Sequence, residues 1–203
     1  MTWLTVERAR WTVRGLLVAF WALVITGGLI NPGYSHWHDH VSDLASFGAR
    51  APWVGILAIG SFGLADVVAA RVVGGASRWA AGALVVAGVA GLVVAANRIH
   101  CTGGAAGCGT STIDDATWTD SVHAGAVAVN AFAFSLAMVI CALGAVGARR
   151  PWSWRAAVVA LAMLSLGFLA QSLGTDLAGT WQRGWLLTNT VVLLMVTARP
   201  REE

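Results

Sequence analysis

The run GLLVAFWALVITGGLI, residues 15–30, contains no charged residue and a single hydroxyl side chain, that of Thr26. A helix needs about 20 predominantly apolar residues to cross a bilayer, and this run reaches that length with the turn before it. Arg8, Arg10 and Arg14 in front of it would also fit a signal peptide, but no A-x-A cleavage site follows. We therefore predict an uncleaved first transmembrane helix.

Further apolar runs follow the first, each close to the length of a membrane crossing. The composition agrees, because 57% of the residues are hydrophobic, only 11% are charged and the mean hydropathy is +0.70. These features predict an all-α integral membrane bundle of six transmembrane helices, in a single domain over residues 1–203. The predicted spans are residues 12–30, 52–73, 79–97, 122–147, 156–173 and 184–198.

The 13 basic residues are all arginine, and they form small clusters between the apolar runs. A nucleic-acid-binding protein would show a continuous basic stripe instead, so we exclude that class. Arginine collects on the cytoplasmic side of membrane proteins. With both termini cytoplasmic, only Arg50, Arg98 and Arg183 lie outside. We predict a multi-pass protein of the cell membrane, and the lack of lysine beside abundant Ala, Gly and Val indicates a bacterial source.

This orientation places all 5 histidines and most aspartates at the extracytoplasmic face. The cytoplasmic loops are short and carry little besides arginine, so chemistry is expected at the outer face. The alternative is that the outer loops are simply longer and must be hydrophilic to meet water. Loops can be made polar with Ser, Thr and Gly alone, however, which favours a functional role for the set as a whole.

The segment SHWHDHVSDL, residues 35–44, concentrates this titratable chemistry. As an amphipathic interfacial helix over residues 35–47, it would place His36, His40 and Asp43 on one face. Imidazole and carboxylate groups that converge in this way suit zinc, copper or iron, so His36, His40 and Asp43 are candidate metal ligands. A complete site needs further ligands from the other histidines. The alternative is a histidine-rich helix in the headgroup region that binds no metal.

The second outer loop carries Cys101 and Cys108 on a glycine-rich segment. Thiols oxidise outside the cytoplasm, so we predict a disulfide between them that closes a small loop. The alternative, in which both bind a metal with His100, has a spacing that matches no common zinc site. Cys141 lies deep in the fourth predicted helix and is expected to act as a small apolar filler.

Few polar residues fall inside the predicted spans. Asp66 is the most costly of them, and we expect it to face other helices or to reach the cytoplasmic interface, with a proton or ion pathway as the less favoured alternative. Asn130 and Asn189 are expected to form interhelical hydrogen bonds, and the Gly/Ala-rich third and fourth helices to pack closely. Tryptophans near predicted helix ends are expected to form interfacial belts; they are Trp11, Trp37, Trp53, Trp79, Trp118, Trp152, Trp154, Trp181 and Trp185.

Helices two, four and six begin at the outer face, where the electropositive end of the helix dipole favours anions. His123 and Arg183 lie near two of these helix starts, and they predict a pocket for a phosphate or carboxylate head group. Asp43 would orient His123 or Arg183, or act as a base. Asp120 would cap the fourth helix. The alternative is that Arg183 reaches lipid phosphates and His123 only starts a helix.

Three motifs, taken in order, carry a resemblance that covers nearly the whole chain: NPGYSHWHDHVSDLASFG, SVHAGAVAVNAFAF and GTWQRGWLL. With this order and spacing the chain resembles the bacterial and archaeal six-helix membrane family known as domain of unknown function 998. The resemblance does not extend to the histidines of the first outer loop, and it implies no particular activity. The positions that match the family pattern are Ser42, Asp43, Leu44, His123, Gln182 and Arg183.

These observations lead to the hypothesis of a membrane-embedded enzyme or lipid-handling protein with a pocket open to the outer leaflet. Its substrate would be an amphiphile, such as a lipid or an isoprenoid, whose acidic head Arg183 holds while His123 and Asp43 move a proton. One alternative is a metal-binding protein or metal-dependent enzyme built on the histidine-rich outer loop. Another is a non-catalytic membrane partner whose polar residues tie helix ends together. The residues assigned to substrate binding are Ser42, Gln182, Trp181 and Asp120.

Overall fold

The computed structural model describes residues 5–100, 117–144, 148, 150–173 and 175–198. Over these residues the chain forms long α-helices and one short 3₁₀ helix, with no strand, as the all-α prediction requires. The α-helices are α1 (Val6–Ile30), α2 (Pro52–Val73), α3 (Arg78–Ala96), α4 (Trp118–Leu143), α5 (Trp152–Ser172) and α6 (Ala178–Thr197), and the 3₁₀ helix is Val41–Ala45.

The helices α1, α4, α5 and α6 begin earlier than their apolar runs predict, and polar caps extend two of them, α1 and α4, into the flanking sequence. At α1 the Thr5 Oγ1 accepts a hydrogen bond from the Arg8 N–H at 3.2 Å. At α4 Thr117 and Asp120 form a reciprocal capping box, which confirms Asp120 as a cap of this helix. Such caps satisfy N–H groups that a helix start leaves unpaired. Hydropathy marks only the apolar part of each helix and misses these first turns.

The helices α1 to α5 are long and apolar enough to cross a membrane. Large apolar side chains on their outer surface agree, since Leu29 and Phe132 are 79% and 70% exposed, which a lipid solvent tolerates and water does not. α6 is less apolar because it carries polar side chains. Two of them, Asn189 and Thr190, are 1% and 7% exposed, so they meet other helices and not the surroundings.

Successive helices run in opposite directions, so the bundle has two chemically different ends. One end is formed by residues 31–51, 97–100 and 175–177. We call it the histidine-rich end, because four of the histidines lie in these connections and His123 lies in the second turn of α4. Which end faces the cytoplasm remains a prediction from the distribution of arginine.

The opposite end, which we call the arginine end, closes the last helix with two arginines. Arg10 Nε donates to the Thr197 carbonyl at 3.0 Å, and Arg150 Nη2 donates to the Ala198 carbonyl at 2.8 Å. Carbonyls at a helix C-terminus lack intrahelical partners, and a cation there also complements the helix dipole. The N-terminal helix is thereby tied to the end of α6.

α2 and α3 pack with their backbones in contact at glycines. A Cβ added to Gly88 would lie 2.5 Å from the Gly63 carbonyl oxygen and 2.8 Å from the Val67 nitrogen. These atoms cannot move without shifting a whole helix, so the contact requires glycine. α3 and α4 also pack closely on each other, as expected of these Gly/Ala-rich helices, and the backbone-to-backbone glycine contact joins α2 and α3.

Hydrogen bonds link the other helices at the predicted asparagines. Asn130 Nδ2 of α4 donates to the Ala87 carbonyl of α3 at 2.8 Å, and Ser165 Oγ of α5 donates to Asn189 Oδ1 of α6 at 2.5 Å. Both interhelical bonds are therefore confirmed. Cys141 is wholly buried in the apolar core, as expected of a small filler.

Exposed tryptophans lie at both ends of the bundle. Trp11, Trp79 and Trp152 are 61%, 69% and 73% exposed at the arginine end, and Trp37, Trp53 and Trp118 are 67%, 61% and 78% exposed at the histidine-rich end. Amphipathic indole rings prefer such membrane–water boundaries. Trp185 does not belong to these belts. It is only 5% exposed and packs inside the bundle, so its predicted role as an anchor is wrong.

Candidate functional site

Residues 34–46, which we call the histidine segment, are inserted into the bundle. The prediction of one amphipathic helix over residues 35–47 is wrong, because residues 36–38 form a turn and a separate 3₁₀ helix follows. Within that 3₁₀ helix Val41 and Leu44 are 2% and 1% exposed and belong to the core. Residues 41–46 of the segment therefore pack as part of the interior, whereas Trp37 and His38 are exposed.

Two aspartates shape the histidine segment by local hydrogen bonds. Asp39 Oδ2 accepts from the Ser35 N–H at 2.6 Å, and Asp43 Oδ2 accepts from the His40 N–H at 2.7 Å. Such side-chain-to-backbone bonds compete with a continuous helix. Asp43 is 5% exposed and serves as the acidic member of a capping box on the 3₁₀ helix. The helical face that would have aligned the histidines is consequently not formed.

The start of α6 is bound to the same segment. The Gly179 N–H donates to the His38 carbonyl at 3.1 Å, and the Thr180 N–H donates to the Trp37 carbonyl at 3.0 Å. A helix start leaves such N–H groups unpaired, which is why it attracts anions. At α6 these groups are used by carbonyls of the histidine segment, so this helix start binds backbone where we expected an anionic head group.

α2 touches the histidine segment at Gly55. A Cβ there would lie 2.5 Å from both the Ala45 nitrogen and the Leu44 carbonyl oxygen. We expect Gly55→Ala to lower the free energy of unfolding by about 1–3 kcal/mol, the usual cost of overpacking, because backbone cannot rotate away from the new methyl group. Thermal unfolding of the purified protein in detergent measures the change.

The matched control for this substitution is Gly60→Ala on the same helix. The nearest atom to a Cβ at Gly60 is the Ala95 methyl group at 4.0 Å, an ordinary contact. This variant should be as stable as the wild type, or slightly more so, because alanine favours helix over glycine. Equal losses in the two variants would contradict a backbone contact at Gly55.

Arg183 of α6 holds the histidine segment through its guanidinium. Nη1 donates to the carbonyls of Asp39 at 3.0 Å and Gly179 at 2.8 Å, and Nη2 donates to the Tyr34 hydroxyl. That hydroxyl donates in turn to the His40 carbonyl at 3.1 Å. Nε is buried without an acceptor among the described residues. The cation expected to hold a substrate head group is thus largely engaged by groups of the protein.

A second arginine, Arg98, holds the far end of the histidine segment, a role that was not predicted from the sequence. Its Nε and Nη2 donate to the carbonyls of Ala45 at 3.0 Å and Ser46 at 2.8 Å, and its guanidinium lies 4.2 Å from the centre of the Phe47 ring. One signal was present in the sequence. Arg98 and Arg183 are two of the three arginines on the disfavoured side of the membrane, where a cation needs a specific use.

Tyr34 is the only tyrosine of the chain, so its titration reports on this site directly. Burial raises its pKa well above the ordinary value; nearby Arg183 opposes this, and the Asp43 carboxylate adds to the rise. We expect no tyrosinate absorbance from the folded protein at about pH 10, where a free tyrosine is half ionised, and normal titration after denaturation. Because the pKa of Tyr34 is higher in the folded than in the unfolded protein, its contribution to the free energy of unfolding is complete below the unfolded pKa. That contribution is lost as the pH rises through the folded pKa. Titration of the folded protein near the ordinary value would show that the hydroxyl is not buried.

The three candidate metal ligands do not come together. His36 packs edge-on against Tyr34 with ring centroids 5.3 Å apart, and His40 Nε2 lies 3.1 Å from the Ser172 carbonyl oxygen. Asp43 caps the 3₁₀ helix. In the part of the chain that the structure describes, no group of three or more His, Cys, Asp or Glu side chains is placed to hold a metal ion. The proposed ligand set depended on a helix that does not form.

A cavity of about 60 Å³ lies beside the histidine segment, among α1, α2, α3, α4 and α6. Its polar lining toward the histidine-rich end comes from Ser42, His123 and Gln182. Asn130 lies about 10 Å further along α4, at 1.5 Å per helical residue. The rest of the lining is apolar or aromatic and includes Phe20, Phe62, Gly63, Val127 and Trp185.

The polar groups at the cavity are held in defined orientations. Gln182 Oε1 accepts from the Val41 N–H at 2.5 Å, which ties the 3₁₀ helix to α6. His123 Nδ1 lies 2.8 Å from the Asn97 carbonyl oxygen, and it must donate because a carbonyl only accepts. A neutral ring then presents Nε2 as an acceptor. Trp185 Nε1 is buried and has no acceptor among the described residues.

The other predicted site residues lie away from the cavity. Asp120 pairs with His100, whose Nδ1 is 3.2 Å from its Oδ2, and Trp181 stacks on Phe168 with ring centroids 5.8 Å apart. Cys101 and Cys108 lie outside the described residues, so their disulfide stays a prediction. Three of the predicted residues, Ser42, His123 and Gln182, line the cavity together, whereas Asp43 and Arg183 act on the adjacent histidine segment.

A bundle of long apolar helices that encloses a cavity with polar groups at one end defines a helical, multi-pass type of membrane protein. The chain belongs to the family described as Protein of unknown function (DUF998), whose family model matches residues 16–199. This match begins in α1 and ends just after α6, so it contains every residue of the cavity. Comparisons with curated proteins and with solved structures each gave no match.

Proposed function

We propose that the cavity binds the head group of a membrane amphiphile, such as a lipid or an isoprenoid compound, and that His123 performs acid–base chemistry on it. The observation that carries this proposal is the buried indole of Trp185, which lines the cavity and whose Nε1 lacks an acceptor among the described residues. An unpaired buried donor costs free energy. A head-group oxygen in the cavity would supply the acceptor.

The size of the cavity limits what can enter it. A volume of about 60 Å³ holds a few water molecules, at roughly 10–15 Å³ for each, or one compact head group. A long acyl or isoprenoid chain does not fit and would remain in the surrounding lipid. Ser42 and Gln182 would orient the head group from the histidine-rich end, while the aromatic lining excludes bulk water.

His123 is the residue best suited to move a proton. Its Nδ1 is committed to the Asn97 carbonyl, so the neutral ring offers Nε2 as a base. A proton taken from water or a substrate hydroxyl would be returned from the same nitrogen to the leaving oxygen. In this scheme Asp43 and Arg183 are positioning residues, because they hold the histidine segment and with it Ser42.

The binding part of this proposal is tested by filling the cavity. Val127 lines the cavity, whereas Val129 on the same helix is 48% exposed, so Val127→Phe and Val129→Phe form a matched pair. We expect solvent extraction and mass spectrometry to find an amphiphile that co-purifies with the wild type and with Val129→Phe. Its amount should fall about tenfold or more in Val127→Phe, which corresponds to a loss of about 1.4 kcal/mol. Equal amounts in both variants would rule out the cavity as the binding site.

The catalytic part is tested at His123. His123→Asn keeps a donor near the position of Nδ1 and removes Nε2. We expect this variant to retain the bound amphiphile and to lose its conversion, so that the unconverted compound accumulates in whole-cell lipid extracts. Retained binding with a lipid profile equal to that of the wild type would leave a binding protein without catalysis, and the acid–base role would be abandoned.

A further inference from the structure

Asp66 is a buried carboxyl that the function proposed above does not use. It lies on α2 and is 0% exposed. Its Oδ2 is 3.5 Å from Asn130 Nδ2, an amide that makes its shorter bond to the Ala87 carbonyl, and its Oδ1 has no partner among the described residues. Of the two locations expected from the sequence, Asp66 therefore occupies the one that faces neighbouring helices.

Within the part of the chain that the structure describes, no cation compensates this carboxyl. Among the described residues of α1, α3, α4 and α6, no arginine or histidine pairs with Asp66, and no titratable side chain of these helices interacts with it. A lone ionised carboxylate with one long amide contact is very costly inside a membrane bundle. The neutral, protonated form avoids that cost, but its O–H then needs an acceptor.

The cavity approaches Asp66 through two of its neighbours, although Asp66 itself is not one of the residues that line it. Gly63, one turn before Asp66 on α2, and Asn130, its hydrogen-bond partner, both line the cavity. Ser42 and His123 line the same cavity toward the histidine-rich end, and its volume admits a few water molecules. We propose that Asp66 is an intramembrane proton-binding site that exchanges protons with the histidine-rich end through this cavity.

Chemical labelling tests whether the carboxyl is protonated. Dicyclohexylcarbodiimide is an apolar reagent that reacts with protonated carboxyls. The acid proton moves to a carbodiimide nitrogen, the carboxyl oxygen bonds to the central carbon, and rearrangement leaves a stable N-acylurea. Nothing departs, so the peptide with Asp66 gains the mass of one reagent molecule. We expect this adduct in the wild-type protein in liposomes, a decreasing yield as the pH rises, and no adduct at position 66 in Asp66→Asn.

Infrared spectroscopy tests the route. The protonated carboxyl should give a C=O stretching band that is missing in Asp66→Asn and that shifts when heavy water replaces water. We expect the shift to be at least several-fold slower in Val127→Phe, which fills the cavity, than in Val129→Phe, which does not. Equal exchange rates in these two variants would show that protons reach Asp66 by another path and would overturn the proposed route.

Two results would overturn the site itself. One is the absence of both the adduct and the infrared band at every pH, which would mean that Asp66 is ionised. The other is protection of Asp66 from the reagent by sodium at constant pH, which would make the ligand a metal cation. None of these measurements involves an amphiphile, so this proposal and the proposed function can fail independently.

Discussion

Gly88→Ala is expected to lower the free energy of unfolding by about 1–3 kcal/mol, the cost of overpacking, less a gain of up to about 1 kcal/mol in helix propensity. The new Cβ would meet the Gly63 carbonyl oxygen at 2.5 Å and the Val67 nitrogen at 2.8 Å. Because both obstacles are backbone atoms, α2 and α3 must separate to admit the methyl group. Unfolding in a detergent series, followed by circular dichroism, measures the loss.

The same helix provides the control for this prediction. Gly82 is exposed on α3, and no atom lies within 4 Å of a Cβ built there. Gly82→Ala should therefore leave stability unchanged or raise it slightly, and Gly82→Leu should be tolerated where Gly88→Leu is not. If Gly88→Ala were as stable as Gly82→Ala, the close approach of α2 and α3 would not exist in the folded protein.

Separation of these helices would also widen the cavity, because Gly63 and Gly91 line it.

Arg183→Met should have the other large effect and lower the free energy of unfolding by about 3 kcal/mol or more. Hydrogen bonds from a charged donor contribute about 1.5–3 kcal/mol each, and this guanidinium donates to Tyr34, to the Asp39 carbonyl and to the Gly179 carbonyl. Methionine keeps the apolar volume but removes all three of these hydrogen bonds. Thermal unfolding measures the stability, and hydrogen exchange over residues 34–46 should rise because the histidine segment loses its attachment to α6.

Two further variants separate geometry from charge at this position. Arg183→Lys keeps the charge but cannot span three acceptors as a planar fork does, so it should recover only part of the lost stability. Arg50→Met removes a cation from the same end of the bundle, where Arg50 is exposed and its backbone N–H bonds to Asn31. This control should be nearly neutral. A wild-type melting point for Arg183→Met, together with weaker amphiphile binding, would instead favour the direct contact with an anionic head group that the sequence predicted.

Five of the six helices were predictable as membrane-spanning helices because membrane crossing depends on local composition, whereas a crossing by α6 stays a prediction. A long run without charge needs no distant partner to be recognised, since lipid requires every backbone group to be paired within the helix. The same holds for side chains that act locally or across neighbouring helices, such as the cap Asp120, the filler Cys141 and the interhelical Asn130. Each of these roles follows from residue type and depth along a span. The exact helix starts did not follow, because hydropathy marks only the apolar run and capping extends α1 and α4 beyond theirs.

The candidate site was only partly predictable. Ser42 and Gln182 were found through a sequence resemblance, and His123 was found both through that resemblance and through its place near a helix start. All three line one cavity. Trp185 was missed because an indole near a predicted helix end looks the same whether it faces lipid or the interior. The metal hypothesis rested on the spacing of His36 and His40, which has meaning only if the backbone is helical.

By itself, the sequence determined a helical membrane protein with its histidines and most of its aspartates gathered at one end, because these properties follow from hydropathy and residue type. The tertiary structure alone decided that the histidine segment is inserted into the bundle. Gly55 admits its backbone, and Arg98 and Arg183 bind its carbonyls from positions that are distant in the chain. Such contacts replace the hydrogen bonds that a local helix would have made, and no local pattern in residues 35–44 records them.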